Sequence, residues 1–289
     1  MERSPKHLET KNRRPVRPRA LVGQTLVWLG IAAVLFWTLF PIYWLVTISL
    51  KTRVQIFSMP PLFLFAPTVE NYQRVIAEVN FDRYFVNSLI IAGASTIIVL
   101  FASLLSAYAF SRMRFAGRKL AYFLVLAIRT LPPVAAIPPI FLLYMNLSLK
   151  DTPLGMVLLY SAFFVSFAVL MMKSFFDEVP VEIDEAAMVD GCSRARILWS
   201  IVLPVVAPGT AATAIFAFIS AWNEFFFALV FTASNAKTAP VALASFVGES
   251  GVDWGIMTAG STIVMLPSLL LIWIIQKHLV KGLAVGAVK

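Results

Sequence analysis

Six apolar runs, at about 26–50, 85–110, 120–144, 154–173, 209–232 and 256–276, constrain what this chain can fold into more than any other feature. Each approaches or exceeds the ~20 residues that a helix needs to cross a hydrocarbon core. A backbone in lipid must satisfy its own hydrogen bonds, so runs of this length form helices. With 60% hydrophobic and 13% charged residues over 289 positions, too little polar surface remains to cover a water-soluble domain. The expectation is an all-α membrane protein with six transmembrane helices. A basic arm occupies 1–25, the six-helix domain 26–276 and a short tail 277–289, with both termini on one side.

The net charge of +9 does not gather into one basic patch, as a nucleic-acid binder requires. Lys and Arg instead flank the apolar runs, where they act as topology signals. The arm, with Arg13, Arg14, Arg17 and Arg19, falls on one side together with Arg112, Arg114, Arg118, Lys119, Lys173, Arg194, Arg196, Lys277 and Lys281. Only Lys51, Arg53, Arg74, Arg83, Lys150 and Lys237 fall on the other. The positive-inside rule therefore puts both termini and the polar stretch 176–204 in the cytoplasm. The first run is long enough to span and lacks a cleavage signal, so it reads as an uncleaved helix kinked at Pro41.

Several chemistries are excluded by the residue inventory. Cys192 is the sole cysteine, and the two histidines, His7 and His278, sit at opposite ends, which argues against a disulfide within the chain and against a His/Cys metal site. No G-x-x-x-x-G-K-[ST] occurs, so the chain has no phosphate-cradling loop of its own and any ATPase must be another subunit. No catalytic residue is expected.

The longest polar interruption of the second half is Phe176 to Pro204. Pro180 suits a first helical turn, and Glu182, Asp184 and Glu185 complement the positive end of the helix dipole. Ile183, Ala186, Ala187 and Asp190 share one face, which small side chains open to close approach. Gly191 is placed for a left-handed cap. A second short helix is expected from Ser193 to about Ile201, closed by Leu203-Pro204. The residues alone allow a docking hairpin or an amphipathic helix lying on headgroups.

Inside the spans, Arg129 with Pro132, Pro133, Pro138 and Pro139 predicts a bent third helix, lining a pathway or packing at a kink. In the fifth span, Asn223 and Glu224 line a pathway or hydrogen-bond to another helix. An Arg129–Glu224 pair is conceivable. Few charged groups remain to line a path, which favours an uncharged polyhydroxy ligand passing aromatic walls. The loop 51–84 predicts a cap with a short helix near Val69-Glu70-Asn71-Tyr72, and 233–255 predicts a mobile hairpin.

Glu185-Ala186-Ala187, three residues, Gly191, nine residues, Ile201, one residue and Leu203-Pro204 resembles the EAA loop of binding-protein-dependent ABC importer permeases. The stretch Ala221–Leu229, the outer hairpin and the tail are similar to those of MalG-type permeases of carbohydrate importers. The resemblance implies a type I importer permease fold whose cytoplasmic coupling helices dock on an ATP-binding subunit. It makes Glu185, Ala186, Ala187, Asp190, Gly191, Ile201, Leu203 and Pro204 candidates for that coupling. Arg129, Pro132, Pro133, Asn223 and Glu224 become candidates for a pathway or gate. Ser245, Phe246, Val247 and Gly248 become candidates for contact with a binding protein. Gly282 and Gly286 would let the tail extend between two ATPases. The implied partners are a second, MalF-like permease, two ATP-binding subunits that hold ATP and Mg, an extracytoplasmic solute-binding protein and membrane lipid. The implied activity is import of a sugar or polyol across a bacterial inner membrane by alternating access. The rival classes are an ion-coupled secondary transporter, which would want more intramembrane acids than Glu224, and an ABC permease for a non-sugar cargo.

Overall fold

The computed structural model describes residues 18–130, 132–248 and 251–286; the arm over 1–17, Leu131, Glu249 and Ser250 of the outer hairpin, and 287–289 lie outside them. The chain divides into two compact units, 1–47 and 48–289. Helix α1 (Pro18–Ser49) runs unbroken through Pro41. Phe36, Phe40 and Trp44 stack along it at i, i+4 spacing, with ring centroids 5.4 and 6.0 Å apart.

The second unit is built on α4 (Phe81–Arg112) and α7 (Pro153–Glu178), which pack along most of their length, with α11 (Ala207–Trp222) against both. Residues three and four apart on α4, Ile91, Ala92, Ser95, Val99 and Ser103, are buried on one face. Two of them are serines and one is alanine, and small residues let membrane helices approach closely. Ser95 is near enough to α7 for its hydroxyl to reach the Val157 carbonyl at 3.4 Å.

Among the described residues, four helices are long and apolar enough to cross a membrane: Gln24–Ser49, Phe81–Arg112, Pro153–Glu178 and Trp254–Ile274. Two bent pairs bring the number up to six. One joins α5 (Arg118–Thr130) to α6 (Pro133–Asn146) at 100°, so the third span is broken as its prolines predict. Pro132 precedes α6 and Pro133 opens it, where a missing N–H costs nothing. The other pair joins the helical stretch Arg194–Val205 to α11 at 85°.

At the end that carries Asp151, α2 (Arg53–Ile56), α3 (Glu70–Val79), α13 (Ala239–Ala244) and a two-stranded antiparallel pair, β1 (Val247–Gly248) and β2 (Gly251–Val252), close the bundle. Buried Asn71 donates to the carbonyls of Ser49 and Lys51 at 2.9 and 2.8 Å. A Cβ at Gly255 would lie 2.3 Å from the Asn71 amide oxygen, so only glycine lets α14 (Trp254–Gly286) pass there.

Asp151, left-handed at φ 57°, accepts the backbone N–H groups of Ala233, Ser234, Asn235 and Ala236. Burial alone would raise its carboxyl, but these successive amides outweigh it and hold it below the usual carboxylate range. A depressed value gives stability that is present above the unfolded value of about 3.9 and lost as pH falls through the folded one. Asp151→Asn keeps the backbone preference and removes the charge. It is expected to lower stability at neutral pH by about 1–2 kcal/mol, at the low end because solvent screens the site. Thermal unfolding in detergent should show the gap between variant and parent closing below about pH 4; a gap constant with pH would refute the account.

Candidate functional site

Pro180 precedes α8 (Val181–Val189), whose first turn carries Glu182 and Asp184. The helix ends as its glycine predicts. Gly191, at φ 80°, donates to the Met188 carbonyl at 3.1 Å, and the Cys192 N–H reaches back to Ala187 at 2.9 Å. That pair of bonds is the Schellman motif. Ser193 then caps a second helical stretch, accepting from the Arg196 N–H at 3.3 Å. It consists of α9 (Arg194–Arg196), a π-helical stretch (Ile197–Val202) and α10 (Leu203–Val205). It ends at Val205, one residue past the expected stop at Leu203-Pro204, where the chain bends by 85° into α11. Pro204 stands near the start of α10, straight after the wide π turn, where the ordinary i→i−4 ladder is already interrupted.

A buried clamp holds this hairpin. Asp184 is 4% exposed. It accepts the Tyr108 hydroxyl at 3.0 Å and the Arg112 Nε at 3.1 Å, both from the end of α4. Arg112 Nη2 donates to the Val179 carbonyl at 2.6 Å, just before α8 begins. Beside the clamp, Asp177 accepts from Ser111 and pairs with Lys173. Sequence reasoning missed Arg112 and Tyr108. Their i, i+4 spacing at the end of a span was the available signal, but nothing in the sequence named Asp184 as their partner.

The motif residues divide into two sets. Glu185, Ala186, Asp190, Gly191 and Pro204 are exposed. Ala187 is buried in a core with Tyr108, Phe176, Ile197, Leu198 and Val202, and Ile201 and Leu203 pack against it. Of the expected open face, Ile183, Ala186 and Asp190 are exposed, and Ala187 alone is corrected. Ala187 faces inward on the same side as Asp184, three residues earlier, and its small size serves approach by the chain's own helices.

At mid-span, Arg129 and Glu224 do not pair. The Glu224 carboxylate accepts the Tyr160 hydroxyl at 2.7 Å and the N–H groups of Phe227 and Ala228 at 2.8 and 3.1 Å. It thus caps α12 (Phe226–Phe231) after the break that follows α11 and ties that break to α7. Asn223 stays exposed, its amide nitrogen bonded to the Ile219 carbonyl. The Arg129 guanidinium lies 4.6 Å above the Phe167 ring. Pro132 and Pro133 form the break beside it.

At the other end, Ser245 is exposed and Phe246 is half-buried against the Val75, Phe81 and Ile256 cluster. Both line a cavity of about 380 Å³ with Arg53, Glu70, Arg74 and Trp254. Val247 and Gly248 form β1. Gly282 and Gly286 lie in the last turns of α14, which is helical where an extended tail was expected. Leu283 and Ala284 between them favour helix, and the two glycines cost only about 1 kcal/mol each. Among the described residues no cluster of His, Cys, Asp and Glu could hold a metal.

Residues 98–285, which include the whole hairpin, match the family described as binding-protein-dependent transport system inner membrane component. The trehalose/maltose transport system permease protein MalG of Thermococcus litoralis is 36% identical over 279 residues, covering 93% of this chain and 98% of that one. The sulfoquinovosyl glycerol transport system permease protein SmoH of Agrobacterium fabrum is 33% identical over 269 residues, covering 92% and 94%. A crystal structure of a bacterial ABC transporter involved in import of the acidic polysaccharide alginate shares the fold. Its TM-score is 0.76 at 21% identity, covering 95% of this chain and 99% of the other. With the fold, the hairpin and the matched stretch in agreement, the chain belongs to the binding-protein-dependent ABC transporter permeases, the inner membrane components of these systems.

Proposed function

We propose that this chain is the MalG-type half of a carbohydrate importer's translocation pore. It works beside a second, MalF-like permease, with two ATP-binding subunits on its cytoplasmic face and a solute-binding protein outside. The cargo is a sugar or polyol, in line with the two relatives named above. ATP and Mg are held by the partner subunits, and this chain binds no nucleotide. Both termini are cytoplasmic, as the distribution of Lys and Arg argues.

The observation that carries the reading is the hairpin. Its residues Glu185, Ala186, Asp190 and Gly191 are exposed, while Ala187, Ile201 and Leu203 fasten it to the core. In this reading the exposed set docks on the ATPase, with Pro204 at its margin. Closure of the ATPases moves the hairpin, and the permease pair exchanges inward-open for outward-open. Pro132, Pro133, Arg129, Asn223 and Glu224 belong to the moving wall. Ser245, Phe246, Val247 and Gly248 meet the binding protein, and the tail with Gly282 and Gly286 lies near the ATPases.

Gly191→Val tests this in the reconstituted importer. Nothing lies within 4 Å of a Cβ at Gly191, so the variant acts through its left-handed backbone alone. The strain is about 1–2 kcal/mol, more for a β-branched side chain, and it turns the second arm of the hairpin away from the first. Uptake is expected to fall while ATP hydrolysis continues and membrane insertion stays intact. Uptake and substrate-stimulated hydrolysis both at the parent level would refute the coupling role.

A further inference from the structure

We propose that the mid-depth face shared by α5, α7 and α11 is a ligand subsite on the translocation path, where Arg129 selects a carbohydrate that carries an acidic group. The proposal rests on the reading of these helices as the wall of a pathway and adds the chemistry of what passes. At ~1.5 Å per residue, Arg129 lies about 16 Å along α5, Phe167 about 21 Å along α7 and Phe216 about 14 Å along α11, so all three fall well inside their spans. The structure joins them: the guanidinium sits 4.6 Å over Phe167, and the Phe167 and Phe216 rings lie 3.9 Å apart. Phe216 is 43% exposed, and Asn223, seven residues on and therefore on the same face of α11, is exposed as well. Two helix breaks open beside this face, one after Thr130 and one at Asn223. Broken helices at membrane depth occur where the backbone lines a cavity or a site.

The charge decides the ligand class. The sequence alone favours an uncharged cargo because few charged groups remain to line a path, and an Arg129–Glu224 pair would remove two of those few. They do not cancel, since Glu224 is held by Tyr160 and the start of α12. Among the described residues no carboxylate lies within ion-pair distance of Arg129. An exposed, unneutralised guanidinium at this depth faces water or protein rather than lipid. Its planar fork suits a carboxylate or sulfonate, the exposed Phe216 ring suits the apolar side of a sugar ring, and the Asn223 amide two turns along suits hydroxyls.

The test uses the whole importer with Phe216→Cys or, should that variant fail to assemble, Asn223→Cys; the parent, with Cys192 alone, gives the background. Each is treated with an anionic ethylsulfonate methanethiosulfonate and its cationic trimethylammonium counterpart, and modification is read from the mass of this chain. The expected result is labelling by both, with the anion favoured about tenfold over its ratio at a free thiol. Arg129→Gln removes that preference, and D-glucuronate protects the cysteine better than D-glucose. Labelling whose charge preference ignores Arg129→Gln, or equal protection by the two sugars, would overturn acid selection and leave the pathway standing. No labelling at either position would mean that lipid or an acidic segment of the second permease covers the face, and the pathway reading would fall with it.

Discussion

Asp184→Ala is expected to destabilise the permease by about 3–5 kcal/mol. The size follows from what stays behind. Both side chains of the Arg112–Asp184 pair are only 5% exposed. Removing the carboxylate leaves a buried guanidinium whose remaining partners are the Val179 carbonyl and Ser111. Tyr108 loses its acceptor as well. Thermal unfolding of the purified importer measures the loss, and proteolysis within 180–193 reports whether α8 has come away. The partner experiment separates charge from packing. Arg112→Met combined with Asp184→Leu removes both charges, and is expected to regain most of the stability. It should not regain directional coupling, because α8 would then meet α4 through apolar surface without fixed angles. A wild-type melting curve for Asp184→Ala would show that water reaches the pair and that the clamp is ornamental.

Glu224→Ala is expected to cost about 3–5 kcal/mol. The carboxylate accepts three hydrogen bonds, and bonds to a charged group contribute about 1.5–3 kcal/mol each, though not additively. Its loss strands two backbone N–H groups at the start of a six-residue helix that cannot hold itself. Hydrogen exchange over 225–231 should therefore rise more than anywhere else in the chain. Glu224→Gln is expected to fall between, since its single oxygen can serve only part of the set and its NH2 cannot accept. Unchanged exchange at Phe227 and Ala228 in Glu224→Ala would contradict the capping role.

The span layout was legible because lipid leaves a backbone few options, and the breaks were legible because proline announces them. Pro132 and Pro133 stand where α5 gives way to α6. Gly191 was legible for a similar reason, since a left-handed residue after an acidic helix start has few other meanings. What escaped depends on pairings across distance. Asp184 reads as one more helix-start acid beside Glu182 and Glu185, and only the fold turns it inward to Arg112, 72 residues away. Asp151 reads as a loop residue until 233–236 arrive with their amides. Arg129 and Glu224, opposite charges in the third and fifth spans, allow a pair that does not form: Tyr160 and the start of α12 hold Glu224, while Arg129 lies over the Phe167 ring. Motif resemblance had the same limit, for it did not separate the exposed Glu185, Ala186, Asp190 and Gly191 from Ala187, Ile201 and Leu203, which pack into the chain's own core.

The bend at Val206 makes the hairpin and α11 two arms of a crank. Val206, itself buried, is the elbow. The arm Arg194–Val205 is about 18 Å long and α11 about 24 Å, at ~1.5 Å per residue. If the elbow holds its 85° angle, a turn about it that displaces the hairpin tip displaces Asn223 by roughly a third more, in a direction turned through the same angle. A small rearrangement at an ATPase cleft would thus be delivered, amplified and redirected, to the depth at which a substrate passes.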